Sequence, residues 1–304
     1  MNEIYFAGGC FWGTGHFFSL IQGVTGVTVG YANGFTPDPS YEQVYTDTTG
    51  YAETVEVTYR ENAVSLGFLL EMFFSIIDPL SLNRQGHDEG TRYRTGVYYV
   101  DNEDLPVIEK AMADLSGKLG TPLATECGPL RNFFPAEERH QDYLSKNPDG
   151  YCHIPLRAFR YVALLQDMKN ILEGETDLIA RLSEAASLVH DRVGSLWTGF
   201  YLVRDGALVL GPFQGPPACL RIGFGKGVCG AAWKEDRTIV VPDVEQFPGH
   251  IACSSLSRSE IVVPCHSGKD RKTVAVLDMD SDSLSYFDEV DALWLEKIAD
   301  VIFN

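Results

Sequence analysis

The chain has 304 residues, 45% of them hydrophobic and 12% aromatic, which suits two cores of ordinary domain size better than one. A formal net charge of −18, with both halves acidic, makes a surface that repels polyanions and so excludes a nucleic-acid reader. No apolar run approaches the ~18–20 residues that cross a bilayer, and Met1 to Phe6 shows no basic stretch followed by an apolar one, so the expectation is a cytoplasmic protein without a membrane or secretory segment.

In chain order, Ile4–Ala7 reads as a short buried strand stopped by Gly8-Gly9, and Phe11–Ile21 as a helix with Phe11, Phe17, Phe18 and Ile21 apolar. A polar loop covers Asn33–Pro39, and Glu53–Tyr59 alternates as a half-buried strand. Ser65–Ile77 reads as an apolar helix, Gly96–Val100 as a strand, and Leu105–Leu119 as a helix with Leu105, Ile108, Ala111, Met112 and Leu115 at helical spacing. Asn147-Pro148-Asp149-Gly150 forms a loop with Cys152 just beyond it, and a domain junction is expected near residues 158–165.

Thr176–Val193 is a second-half helix that starts at Asp177, with Leu178, Ile179, Leu182, Leu188 and Val189 on one face. Strands follow at Leu196–Val203, Ala207–Leu210, Thr238–Val241, Glu260–Cys265 and Thr273–Asp278, the first two joined by the turn Arg204-Asp205-Gly206. A last helix, Asp288–Phe303, turns Val290, Leu293, Ile298, Val301 and Ile302 inward. The fold class is α/β (α+β). Residues 1–160 form a two-layer α/β domain; residues 161–304 form an antiparallel sheet flanked by helices, expected on one face.

Seven cysteines, an odd number without a signal peptide, argue against a disulfide framework, and no Cys-x-x-Cys pair supports a structural zinc site. The thiols are therefore inert or reactive, and each is weighed by its neighbours. Cys10 sits where a helix N-terminus lowers a thiol's pKa; on spacing alone it is equally a small core residue or a nucleophile. Gly225-Lys226-Gly227 lacks the rest of a phosphate-binding loop. Asp278, Asp280, Asp282 and Glu289 have the spacing of a calcium loop, but Ser283 replaces its glycine and a β-branched run precedes it, so no metal is expected.

Gly8-Gly9-Cys10-Phe11-Trp12-Gly13 resembles the active-site motif of the A-type peptide-methionine (S)-S-oxide reductases. The similarity continues through Gly30-Tyr31, Pro39-Ser40-Tyr41, Thr49–Glu53, Arg84–Asp88, Gly90–Arg94, His140–Leu144 and Asn147–Cys152, spanning roughly residues 3–158. The resemblance implies that Cys10 attacks the sulfoxide sulfur, Glu53 protonates its oxygen, and Tyr41 and Tyr93 hydrogen-bond that oxygen with Asp88 in support. Phe11 and Trp12 would hold the methyl group, and Cys152 would condense with the sulfenic acid to a disulfide. Gly15 stands where relatives commonly carry Glu, and Cys127 is an extra cysteine read as structural.

The second half, roughly residues 175–304, is similar to the free methionine-(R)-sulfoxide reductases, which have a GAF-type fold. The resemblance rests on Trp197–Tyr201, Gly211–Gly215, Cys219, Gly225–Gly230, Gly249–Cys253, Ser259–Pro264 and Leu277–Ser281. It implies attack by Cys253 and resolution by Cys219, with Cys229 assisting or acting as an alternative partner. Glu260, Asp278 and Asp280 would bind the substrate ammonium and protonate the oxygen, with Trp197 and Tyr201 cradling the thioether. Cys265, on a strand, is read as inert.

The expected enzyme reduces free and protein-bound methionine-S-sulfoxide in its first half and free methionine-R-sulfoxide in its second. It uses thioredoxin or a similar dithiol and no cofactor, since no dinucleotide fingerprint occurs. The alternative is a second half that only senses ligand or redox state and tunes the first; the thiols weigh against it.

Overall fold

The computed structural model describes residues 1–251, 255–267 and 272–303. Its contacts gather into two units, Met1–Phe159 and Arg160–Asn304.

The first unit contains β1 (Asn2–Gly8), α1 (Phe11–Ser19), β2 (Val24–Ala32), α2 (Tyr41–Tyr45), β3 (Ala52–Tyr59), α3 (Leu66–Phe74), β4 (Arg84–Gln85), β5 (Asp88–Glu89), β6 (Thr95–Tyr99), α4 (Leu105–Leu119), β7 (Glu126–Pro129), β8 (Phe133–Pro135) and α5 (Tyr143–Lys146). A six-stranded sheet runs β7-β6-β1-β3-β2-β8. The β6–β7 pair is parallel, so the chain must cross over between them, and α4 is that crossover.

Alternation along β1 sorts the two faces. Phe6 stacks on Phe18 of α1 at 4.6 Å and on Phe73 of α3 at 4.8 Å between ring centroids. Tyr5 and Ala7 join Ala32, Ala52 and Tyr98 under Leu130 and Phe133 on the opposite face. Because both faces are covered, Ala52–Val55 are all buried, where alternation predicted a half-buried strand. The sequence reading also missed β2, whose glycines look like turn residues. Gly30 is needed there, because an added Cβ would lie 2.4 Å from the Phe134 carbonyl oxygen on the neighbouring strand.

The division between the units falls within α6 (Leu156–Ile171), a helix the sequence reading passed over as a junction. Tyr161, Leu164, Leu165 and Met168 are buried along it, and the Tyr161 hydroxyl donates to Asp291 Oδ1 at 2.8 Å. The second unit continues with α7 (Leu178–Val193), β9 (Trp197–Arg204), β10 (Ala207–Gln214), β11 (Arg221–Gly223), α8 (Gly227–Glu235), β12 (Ile239–Val241), β13 (Ser259–Ser267), β14 (Lys272–Ser281) and α9 (Glu289–Phe303). The sheet is antiparallel in the order β11-β10-β9-β14-β13-β12.

Asp177 caps α7 by accepting the Ala180 N–H at 3.0 Å. Asp205 and Gly206, at φ 52° and 76°, make the β9–β10 hairpin turn. The buried face of α7 is Leu182, Ala185, Ala186, Val189 and Val193; Leu178 and Ile179, expected inward, lie exposed in its first turn. In α9 the inward residues are Asp291, Trp294, Leu295, Ile298, Ala299 and Ile302, and Leu293 is exposed.

The expectation of helices on one face is corrected. Phe200 meets Phe303 of α9 on one side of the sheet, whereas Tyr201, Val262 and Val276 pack with Val228, Cys229 and Ala232 of α8 on the other. The glycine-rich start of α8 hid it from a reading by apolar periodicity.

Candidate active sites

Cys10 is the N-cap of α1 and 6% exposed, presented by a turn in which Gly9 takes φ 79°. Glu53, on β3 and 2% exposed, accepts the N–H of Phe11, the next residue after Cys10, on Oε2 at 3.0 Å. Burial raises the Glu53 carboxyl to about 8, even though the Phe11 N–H and the Arg92 charge favour the anion. It is therefore protonated at neutral pH.

The same burial, joined by the carboxyls of Glu53 and Asp88, pushes the Cys10 thiol well above its ordinary range; the Trp12 N–H pulls the other way but does not prevail. This corrects the expectation that the helix terminus lowers it. A nine-residue helix offers only its end dipole, while the thiol loses nearly all of its water.

The predicted companions gather around this pair. Tyr41 opens α2 behind a Ser40 capping box, and its N–H donates to Glu137 Oε1 at 2.9 Å. Burial, with the Glu53 charge, lifts the Tyr41 phenol to about 12, so it stays a donor; the Tyr93 phenol is raised for the same reasons. Arg92, bonded to Asp47 at 2.6 Å, lies over the rings of Tyr93 and Tyr45 at 4.4 and 4.3 Å.

Asp88 on β5 keeps a buried Oδ2 with no hydrogen-bond partner among the described residues. Trp12 stacks on Tyr143 at 3.8 Å and donates its indole N–H to His140 Nδ1 at 3.2 Å. Phe11 packs against Tyr31 and His140 at 5.9 and 5.5 Å. The free thiol of Cys152 rests against the first turn of α1, its Sγ 2.8 Å from where a Cβ on Gly13 would stand, a position open to it only because residue 13 has no side chain.

Sequence reasoning quoted His140 and Arg92 within motif blocks but gave them no role, and it passed over Glu137. Glu137 accepts the Tyr31 hydroxyl at 2.9 Å as well as the Tyr41 N–H, and so ties two aromatic walls together. A histidine flanked by aromatic blocks was the available signal. Gly15, standing where relatives commonly carry Glu, allows α1 to lie close on β2: a Cβ there would be 2.8 Å from Val29 Cγ1.

In the second unit, register assembles the acids. Glu260 pairs with Asp280 across β13 and β14, Asp278 lies two residues along on the same face, and Trp197 of β9 pairs with Asp280. Cys229 of α8 places Sγ 3.9 Å from Glu260 Oε1. Desolvation, with carboxylates crowding one another, pushes Glu260 and Asp278 well above the carboxylate range and the Cys229 thiol well above its own. Asp280 is held at about 6, raised by burial against the opposing Ser257 hydroxyl.

Trp197 stacks with Tyr201 at 5.9 Å and donates its indole N–H to the Pro216 carbonyl at 3.1 Å. Cys219 packs against the same apolar cluster and is disulfide-bonded. Cys253 lies outside the described residues. Cys127 is exposed on β7, and Cys265 is fully buried on β13.

Cys229, His250, Glu260, Asp278 and Asp280 line a cavity of about 30 Å³. A larger groove of about 420 Å³ along Ile239–Asp243, Phe247 and Leu284 has no thiol among its described lining residues. No described helix is long and apolar enough to cross a membrane.

Comparison with known proteins gives two family matches: peptide methionine sulfoxide reductase over residues 2–170, and GAF domain over residues 176–302. The peptide methionine sulfoxide reductase MsrA of Clostridium acetobutylicum is 55% identical over 155 residues, 51% of this chain and 96% of that protein. The free methionine-R-sulfoxide reductase of Neisseria meningitidis, solved with its substrate, is 50% identical over 47% of this chain and 85% of that one, with a TM-score of 0.45. The reduced fRMsr of Staphylococcus aureus is 46% identical over 47% and 92% of the two chains, with a TM-score of 0.45.

Proposed function

Because the chain belongs to the peptide methionine sulfoxide reductase family and carries a GAF domain in its second half, we propose that it reduces methionine-S-sulfoxide at Cys10 and free methionine-R-sulfoxide at the Cys229–Glu260–Asp278–Asp280 cluster. One observation carries the reading: a buried, neutral Glu53 anchored on the N–H adjacent to Cys10. A sulfoxide sulfur accepts a nucleophile only as its oxygen gains a proton, and a carboxyl poised near neutrality is suited to give it.

In the first unit, Glu53 gives its proton to the oxygen as Cys10 sulfur attacks, and recovers one from the Cys10 thiol. Oxygen passes to Cys10, leaving methionine and a sulfenic acid. Cys152 then displaces that oxygen as water and forms the Cys10–Cys152 disulfide. Tyr41 and Tyr93, both held as phenols, donate to the oxygen, and Phe11 and Trp12 enclose the methyl group. Thioredoxin or a similar dithiol reduces the disulfide, and the reaction runs in the reducing cytoplasm.

In the second unit, Cys253 is the nucleophile and Cys219 resolves it, with Cys229 assisting or acting as an alternative partner; the disulfide at Cys219 supports a resolving role for that thiol. Glu260, Asp278 and Asp280, whose carboxyls burial and mutual crowding push upward, pair with the substrate ammonium and help protonate the oxygen. Trp197 and Tyr201 hold the thioether. A domain serving only as a sensor needs the acids and aromatics, not the thiols.

The test is Cys152→Ser exposed to methionine-S-sulfoxide without reductant. One methionine should be released per chain, with a sulfenic acid trapped by a dione on Cys10. Trapping on any other thiol would overturn the assignment.

A further inference from the structure

We infer that the reduced second site takes one thiophilic divalent cation, Zn²⁺, on Cys229 Sγ and the carboxylates of Glu260 and Asp278. The ligand atoms of these three residues lie within 4.8 Å of one another, and Sγ stands 3.9 Å from Glu260 Oε1. A zinc ion at about 2.3 Å from sulfur and about 2.0 Å from oxygen spans such a triangle after a small inward movement. The three residues are 3–6% exposed, and Asp278, in the wall of the same cavity, has a buried Oδ1 with no hydrogen-bond partner among the described residues, a vacant acceptor beside the cluster.

The cavity they line, about 30 Å³, has the size of an ion or one or two waters. A single thiolate with two carboxylates selects zinc over the hard cations magnesium and calcium. His250 Nε2, 3.7 Å from the other Glu260 oxygen, is placed to orient that carboxylate from behind. The residues come from α8, β13 and β14, so no ligand spacing along the chain announces the site, and the missing Cys-x-x-Cys pair has no bearing on it.

On the functional reading above, from which this part proceeds, zinc occupies the place of the substrate ammonium and competes with free methionine-R-sulfoxide. The cation would hold the reduced domain inactive and leave the Cys10 site untouched.

The probe is Co²⁺, titrated into the full chain kept reduced by a phosphine. One equivalent should produce a near-ultraviolet thiolate-to-cobalt band that Zn²⁺ abolishes. Cys229→Ser and Cys229→Ala should each remove the band, and Glu260→Gln should weaken cobalt binding at least tenfold. Cys10→Ser, Cys152→Ser and Cys127→Ser should retain it. No band at one equivalent, or a band surviving both Cys229 substitutions, overturns the site. Stoichiometric Zn²⁺ should also lower R-epimer turnover at least tenfold with S-epimer turnover unchanged. A cobalt band without that inhibition supports the ion site and counts instead against placing substrate on these acids.

Discussion

Replacing Glu53 by glutamine should weaken catalysis and strengthen the fold at once. The folded carboxyl is held at about 8, against an ordinary value of 4.5. For an acid whose folded value is raised, the associated stability is fully present below pH 4.5 and is lost as pH rises toward 8. At pH 7 the folded state keeps a proton that the unfolded chain releases, which costs about 1.4 kcal/mol for each pH step above 4.5, or roughly 3 kcal/mol.

Glutamine has no proton to take up, and its oxygen can still accept the Phe11 N–H. Glu53→Gln should therefore stabilise the first unit at pH 7 by up to about 3 kcal/mol, less what the buried amide NH₂ leaves unsatisfied. Whole-chain melting would mix two units, so the assay is native-state hydrogen exchange of the β3 amides in wild type and variant from pH 5 to pH 8. The advantage of the variant should grow across that range and vanish near pH 4.5. S-epimer turnover should fall 10²–10⁴-fold, the usual contribution of a general acid. A variant that is no more stable than wild type at pH 7 and pH 8 would refute the argument that burial keeps Glu53 neutral.

Other consequences follow from single contacts. In wild type, the S-epimer chemical step should slow above about pH 8 as Glu53 ionises, a limb that single-turnover kinetics of Glu53→Gln should lack. Gly13→Ala places a methyl 2.8 Å from Cys152 Sγ, so it should spare the first methionine released and slow disulfide formation at least tenfold by rapid-quench analysis. Gly15→Ala sets its methyl 2.8 Å from Val29 Cγ1; overpacking at about 1–3 kcal/mol should outweigh the ~1 kcal/mol helix gain, giving net destabilisation by hydrogen exchange. Asp177→Ala removes the α7 cap and should destabilise the second unit by about 1 kcal/mol, read by the same method.

Much of the fold could be read from the residues where one local rule dominated. Leu105–Leu119 appears as a helix with the predicted ends because Pro106 opens it and Gly120, at φ 67°, closes it. Asp177 and the Asp205-Gly206 turn were equally legible. The failures arose where neighbours decide. Glycines in β2 are set by β8 packing, α8 begins on glycines, and the exposed Leu178, Ile179 and Leu293 show that apolar spacing does not tell which side meets the sheet.

Motif order singled out Cys10, Glu53, Tyr41, Tyr93 and Cys152, but the sign of the Cys10 shift was not readable. A helix terminus is visible in sequence, whereas burial beside two carboxyls is a property of the assembled unit. The same holds for the Glu260–Asp280 pairing, which becomes visible only once β13 and β14 are in register.

Two thiol sites of opposite stereochemical preference should divide the reduction between them. Thioredoxin-coupled turnover of the separated sulfoxide epimers by wild type, Cys10→Ser and Cys253→Ser measures this directly. Wild type should reduce both epimers, Cys10→Ser only the R form, and Cys253→Ser only the S form. R-epimer turnover that survives loss of Cys253, or its absence from wild type, would contradict the two-site account.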